Sequence, residues 1–270
     1  MKQNLHIHST YVDGKDTPEE MIIKAIETGF DSIGFSEHSY VKYSTFPNKL
    51  TLEKMKKYQT EIRFLKEKYK GTIDVFCGLE YELFSDISAD GFDYIIGSVH
   101  YLDIGGNVVT FDRGLQETTD YINKYFCGNG LLFAKKYFET VASMPQKIKA
   151  DIVGHFDLIT KNNEKGNFID VTSKEYLNLG FEAINALKGK VPFFEINTGA
   201  ISRGYRMSPY PQMEFLKEFN RQGFGVVFTS DCHDKTHIDC FFEQAKKIAI
   251  EAGFKTKWIL TYDVFKETKI

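Results

Sequence analysis

Seven histidines and a set of carboxylates carry the chemistry open to this sequence. Leu5-His6-Ile7-His8-Ser9 places two imidazoles two residues apart. On a strand both then face one side, while Ile7 packs into the wall. Further apolar runs end in Ser36-Glu37-His38, Gly78-Leu79-Glu80, Gly97-Ser98-Val99-His100, Gly154-His155-Phe156-Asp157 and Ser230-Asp231-Cys232-His233. Each run stops abruptly in groups that are costly to bury unpaired. Taken singly, each is compatible with a solvated strand end. Together they place six of the seven histidines, and Asp13, Glu37, Glu80, Asp157 and Asp231, at or just beyond the ends of successive strands. Imidazoles mixed with carboxylates, with no cysteine among the donors, suit Zn, Mn or Fe better than a structural thiolate site. There are more donors than one ion can use, which implies two or three divalent ions. Cys232, between two candidate ligands, should face the other way and pack.

The elements that must position these groups alternate along the chain. Candidate strands are Asn4 to His8, Asp31 to Ser36, Ile73 to Leu79, Tyr94 to Val99, Ile152 to His155, Pro192 to Asn197 and Gly225 to Ser230. They are mostly apolar rather than strictly alternating, as expected of a parallel sheet covered by helices. Helix candidates lie between them: Thr17 to Thr28, Leu52 to Tyr69, Tyr121 to Met144, Ser173 to Leu187, Pro211 to Gln222 and Asp239 to Ala252. In the first, Thr17 can cap, Pro18 suits the first turn, and Glu19 and Glu20 complement the positive end of the dipole. This order selects an α/β class and, with seven strands, a TIM-like barrel forming a single domain over 1–270. Two insertions, Tyr40 to Leu50 and Tyr101 to Thr118, follow strand C-termini, where barrels build their sites. The second carries Gly105, Gly106 and Gly114.

Composition narrows the function class. The chain has 270 residues, 42% hydrophobic and 26% charged, an ordinary globular profile. No apolar run approaches the ~18 to 20 residues of a membrane span, and no signal-type segment is visible. Cys77, Cys127, Cys232 and Cys240 show no C-x-x-C spacing and read as free thiols, so a cytoplasmic location is expected. A net charge of −3 offers no global attraction to nucleic acid or anionic lipid. Any anionic substrate must therefore be small and held by local cations and metals. Neither a nucleic-acid nor a membrane partner is expected, and the protein is expected as a monomer or homodimer.

As a set, H-I-H-S with Asp13, S-E-H at 36–38, G-L-E at 78–80, G-S-V-H at 97–100, G-H-F-D at 154–157 and S-D-C-H at 230–233 resembles the polymerase and histidinol phosphatase (PHP) superfamily. The matching pieces run from residue 6 to residue 233 in the family's order. Within it, the G-S-V-H-Y-L-D segment and N-T-G-A-I-S-R at 197–203 resemble the histidinol-phosphate phosphatases. The resemblance implies a distorted (β/α)7 barrel with a trinuclear metal centre. It also implies hydrolysis of a small phosphate ester, L-histidinol phosphate, by a metal-activated water in histidine biosynthesis. Carried over motif by motif, one ion takes His6, His8, Glu80 and Asp231. A second takes Glu80, His100 and His155, with Glu80 bridging, and a third takes Asp13, His38 and His233. Asp231, Glu80 and His100 are the candidate catalytic groups. Glu37 and Asp157 are read as groups that orient imidazoles.

Phosphate needs fixed cations as well. Arg203, just past a strand end, can offer a bidentate fork, and Lys161, Arg206 and Arg113 are further candidates. Tyr101, Phe111 and Tyr205 are candidates to line a pocket for an imidazole ring. His237 belongs to no ligand motif and reads as a surface residue at a helix start. Two rival readings stand: a PHP phosphoesterase for another small phosphomonoester or nucleotide, and a non-catalytic structural metal-binding module.

Overall fold

The computed structural model describes residues 1–44, 49–262 and 264–270. Eleven strands are found among them: β1 (Gln3–Asn4), β2 (Ser32–His38), β3 (Asp74–Glu82), β4 (Tyr94–Ser98), β5 (Tyr101–Ile104), β6 (Asn107–Thr110), β7 (Ile152–Val153), β8 (Phe193–Asn197), β9 (Gly225–Thr229), β10 (Thr256–Thr261) and β11 (Val264–Lys269). Seven of them form one sheet in the order β1-β2-β3-β4-β7-β8-β9, every pairing parallel. Its two edges meet where His8 N donates to Cys232 O at 3.0 Å and Ile7 bridges Cys232 in parallel register. The sheet is a nearly closed (β/α)7 barrel.

Alternation along the strands decides what the interior holds. Ile33 and Phe35 of β2 and Val75, Cys77 and Leu79 of β3 point outward and pack against the helices Pro18–Glu27 and Leu52–Lys68. A second outer core, rich in phenylalanine, joins β7, β8 and β9 to the helices Gly130–Ala142, Lys174–Leu187 and Met213–Gln222. The opposite parity faces inward, so Phe76, Gly78 and Glu80 succeed one another up the interior of β3. Tyr94 fills the lower interior and donates to Phe35 O at 3.0 Å and to Leu5 O. A Cβ on Gly78 would lie 2.2 Å from its ring, so only glycine admits the tyrosine there. With the lower half packed by Leu5, Phe76, Tyr94 and Ile96, the polar ends of the strands are left to the top.

The structure corrects some expectations from the sequence and adds elements to others. Tyr121 to Met144 is two helices, Leu115–Phe126 and Gly130–Ala142. The chain turns at Cys127 and Gly128, both at positive φ, and Asn129 caps the second helix through Leu131 N and Leu132 N. The insertion expected at Tyr101 to Thr118 begins with a hairpin, β5–β6, whose turn is Gly105–Gly106, both at positive φ as tight hairpins require. The C-terminal stretch, unassigned in the sequence, is the hairpin β10–β11, and it caps the barrel bottom. Gln3 locks it there, its Nε2 donating to Leu260 O at 2.7 Å and its Oε1 accepting from Leu260 N at 2.8 Å. The strands expected at Ile152 to His155 and Asn4 to His8 shorten to Ile152–Val153 and Gln3–Asn4, with Ile7 alone continuing the second as a bridge to Cys232. The insertion expected at Tyr40 to Leu50 lies partly outside the described residues.

Candidate metal centre

Glu80, at the top of β3 and 1% exposed, is the hub of the site. Five imidazoles surround it: His38 Nδ1 at 2.6 Å, His155 Nε2 at 2.9 Å, His6 Nε2 and His100 Nε2 at 3.4 Å, and His8 Nε2 at 3.6 Å. Asp231 enters from the end of β9, where its positive φ of 45° turns the carboxylate inward, to 3.3 Å from His8 Nε2 and 3.7 Å from His6 Nε2. Asp13 comes from the loop after β1. It lies 3.3 Å from His233 Nε2, 3.5 Å from His38 Nε2 and 3.7 Å from His8 Nδ1. That loop folds tightly because Gly14 passes close to the backbone of His8, where a Cβ would lie 2.5 Å from His8 O. Every histidine and carboxylate marked as a ligand in the sequence is therefore in one place.

Three groups have donor atoms close enough to share an ion: His8, Asp13, His38 and His233; His6, His8 and Asp231; and His38, Glu80 and His100. His155 stands outside these groups but touches Glu80. The donors also have atoms to spare. His6 Nε2, both ring nitrogens of His8 and His155 Nδ1 are buried without a hydrogen bond. Unpaired buried polar atoms are expensive, and His6 Nε2 and His8 Nε2, which face both Glu80 and Asp231, fit metal coordination.

Electrostatics agree. Burial opposes the charge of Glu80, yet His38, His6 and His100 outweigh it and hold its pKa well below the usual carboxylate range. Asp231 is likewise held anionic against burial, first by Arg203 and then by His6. In His6, burial is outweighed by Glu195, Asp231 and Glu80, and the imidazole pKa is raised. His8, with burial and the neighbouring His233 and His38 acting together, falls to about 3.

Two carboxylates missed in the sequence hold the imidazoles in place. Glu195 of β8, fully buried, accepts from His6 Nδ1 at 2.8 Å, from His155 N at 2.6 Å, from Asn197 Nδ2 at 2.7 Å and from Thr229 Oγ1 at 2.8 Å. Glu82 of β3 bonds His100 twice, to the backbone N at 2.7 Å and Nδ1 at 3.0 Å. Each leaves Nε2 aimed inward. Their signal was present, since a glutamate inside an apolar strand such as Phe193-Phe194-Glu195-Ile196 is hard to explain as wall. Glu37 and Asp157 do not have the role expected of them. Glu37 accepts from Ser9 N and Oγ, and Asp157 pairs with Arg206 at 3.4 Å and accepts from Gln212 N. Neither bonds an imidazole.

The centre opens into a cavity of about 590 Å³ lined by His38, His100, Tyr101, Lys161, Arg203 and Tyr205 among others. Arg203 is fixed by Asp231, with Nη1 donating to its backbone O at 2.5 Å and Nη2 to Oδ2 at 3.0 Å. Lys161 pairs with Asp112 at 2.7 Å and lies over the Tyr205 ring. Arg113 also faces the cavity. Arg206 does not: it is buried, 2.7 Å from Thr160 Oγ1 and paired with Asp157. Phe111 belongs to the aromatic core with Phe133 and Tyr137, not to the cavity wall. His237 pairs with Asp234 at 2.8 Å away from the cavity, and Cys232 is buried in the outer core as expected.

The family model for the PHP domain matches residues 4–199 of this sequence, from the first histidines through Glu195. The chain belongs to the PHP family. It is 26% identical to the probable histidinol-phosphatase of Schizosaccharomyces pombe over 256 residues, covering 87% of this chain and 81% of that one. It is 25% identical to the histidinol-phosphatase of Bacillus subtilis over 268 residues, covering 90% and 97%. Among solved structures, the histidinol phosphate phosphatase of Lactococcus lactis, complexed with zinc, L-histidinol and phosphate, superposes with a TM-score of 0.72. That match has 21% identity and covers 98% of both chains. The putative histidinol phosphatase of Listeria monocytogenes gives a TM-score of 0.73 at 18% identity, covering 90% of this chain and 99% of that one. Both share the barrel. No helix among the described residues is long and apolar enough to cross a membrane.

Proposed function

We propose that this PHP protein is a metal-dependent phosphomonoesterase that hydrolyses L-histidinol phosphate to L-histidinol and phosphate, a step of histidine biosynthesis. The observation that carries the reading is the buried cluster of imidazoles with unpartnered nitrogens around Glu80, opening on a cavity beside Arg203 and Lys161. The histidinol-phosphatase relatives, and the zinc, L-histidinol and phosphate held by the Lactococcus protein, support the substrate and a divalent metal. One ion would be held by His6, His8, Glu80 and Asp231, a second by Glu80, His100 and His155, and a third by Asp13, His38 and His233. Divalent ions in such positions supply Lewis acidity toward phosphoryl oxygens and a nucleophile of hydroxide character near neutral pH.

The side chains do the rest. Arg203 and Lys161 attract the phosphoryl oxygens from the cavity wall, Arg203 as a fork that Asp231 keeps from rotating. Asp231 stands between the imidazoles and Arg203, where it is placed to relay a proton from the attacking water toward the departing alkoxide. Glu82 and Glu195 keep the imidazoles from turning. Four cysteines without a disulfide are in keeping with a cytoplasmic setting.

Phosphate release from L-histidinol phosphate and a panel of other phosphomonoesters, before and after chelation and with Zn, Mn or Fe restored, tests the reading. Strong chelator-sensitive preference for histidinol phosphate is expected. Activity only on other esters would remove the substrate and keep the hydrolase. A metal-loaded protein with no turnover would move the chain to the structural class. His100→Ala separates the two roles, since loss of turnover with retained fold marks an enzyme.

A further inference from the structure

Two carboxylates on the cavity wall lie outside the metal centre, Glu117 and Asp112. Of the acids on its wall, Asp13 and Asp231 lie against the imidazoles, Glu82 is committed to His100, and Glu117 accepts from Gly114 N at 3.0 Å at an exposed helix start. Asp112 is different. It follows the β5–β6 hairpin, which leaves β4 immediately after His100 and so carries the chain across the mouth of the site. One of its oxygens, Oδ1, takes Lys161 Nζ at 2.7 Å, and its other oxygen accepts no hydrogen bond from any described residue.

We infer that Asp112 selects substrates carrying an ammonium group on the carbon next to the ester CH₂, so that the site prefers vicinal amino-alcohol phosphates to plain alkyl phosphates. The inference rests on the phosphomonoesterase reading and deepens it. Lys161 faces the cavity as a cation for phosphate, and Asp112 is its direct neighbour. In a vicinal amino-alcohol ester only two carbons separate the nitrogen from the ester oxygen. A phosphate drawn to Lys161 and Arg203 therefore brings such an ammonium to the side of the cavity where the second Asp112 oxygen stands. Arg203 and Lys161 stand on that wall, and Asp112 is the acid directly beside Lys161. With Asp112 beside Lys161, an ammonium that enters on this side gains a charge-assisted hydrogen bond.

The test compares two esters on the metal-loaded enzyme and on Asp112→Asn: L-histidinol phosphate, and the phosphate of 3-(imidazol-4-yl)propan-1-ol, which lacks the amine. Asparagine keeps an oxygen for Lys161 and removes the charge. The expected result is a fall in kcat/KM of about ten- to a hundredfold on histidinol phosphate and less than about threefold on the deamino ester. Retained turnover of the deamino ester also reports that the variant is folded and metal-loaded. In parallel, L-histidinol should inhibit the parent enzyme more strongly than the deamino alcohol, and Asp112→Asn should abolish the difference. Equal losses on both esters would overturn the inference, because Asp112 would then serve Lys161 or the fold alone. No loss on either would overturn it too. A parent enzyme that cleaves neither ester would instead defeat the phosphomonoesterase reading, and that outcome is visible before any variant is made.

Discussion

Glu195 and Arg203 show how much of this site is a matter of single groups holding other groups still. Glu195 is buried among four donors and touches no cavity, yet it fixes the ring of His6 and the backbone of His155 together. Glu195→Gln keeps the shape but can no longer hold the His6 tautomer by charge. A ten- to hundredfold drop in kcat/KM is expected, together with a lower metal content by elemental analysis after dialysis. A drop in rate with full metal content would mean that Glu195 acts on the substrate side instead. Arg203→Lys leaves a cation at the wall and removes the fork on Asp231. Its expected signature is the reverse: full metal content, and a kcat/KM lower by about tenfold through the loss of one bidentate charge-assisted contact. Inhibition by inorganic phosphate should weaken in parallel, and an unchanged phosphate inhibition constant would count against a phosphate role for Arg203.

At the scale of elements, the barrel depends on pieces that pack rather than react. The β10–β11 hairpin reaches the barrel bottom through the paired amide bonds of Gln3 with Leu260 and through the tilted ring contact of Trp258 with Phe193 at 5.0 Å. Gln3→Ala leaves Leu260 N and O without those partners in a buried place, and should cost roughly 1–3 kcal/mol in chemical denaturation. The metal centre lies at the other end of the strands, so kcat at saturating metal should stay within about twofold. A large loss of turnover with unchanged stability would show that the two ends of the barrel are coupled. The hairpin also marks where the sequence stops being readable. The strand ends were legible because each joins an apolar run to a histidine or carboxylate, and the ligand residues they name do converge. Residues 256–269 carry no such mark, and Lys257, Thr261, Lys266 and Glu267 blur their alternation, since only one face of this hairpin touches the barrel. Tyr121 to Met144 kept an apolar helical pattern on both sides of Cys127, which hid the break. Glu82 and Glu195 went unassigned for another reason: an acid inside an apolar strand signals a buried role, but the imidazole that defines the role stands on another strand, and that pairing is not written in the local pattern.

The whole molecule is arranged so that the metal centre is part of its stability. The lower interior is filled by apolar side chains and Tyr94, while the upper interior buries Glu80, Asp231, Glu195 and Glu82 with His6, His8, His100 and His155, and His38, His233 and Arg203 stand partly open at its mouth. Charges and unpaired ring nitrogens in such a place oppose folding unless something occupies the space between them. Ions that bind there bind the folded chain far better than the unfolded one, and therefore stabilise it in proportion to the logarithm of their free concentration. At about a hundred times the dissociation constant the gain is about 2.7 kcal/mol, which for a barrel of this size corresponds to a rise in Tm of roughly 5–10 °C. Chelation should lower Tm by that amount, restored Zn or Mn should return it, and Tm should climb with the logarithm of added metal. Glu80→Ala removes the hub shared by the imidazoles, so its Tm should no longer respond to metal even if the variant folds. A parent protein whose Tm is indifferent to chelation, with metal loss verified by elemental analysis, would mean that the protein frame alone holds these charges. The two stabilities, of fold and of metal centre, would then be independent.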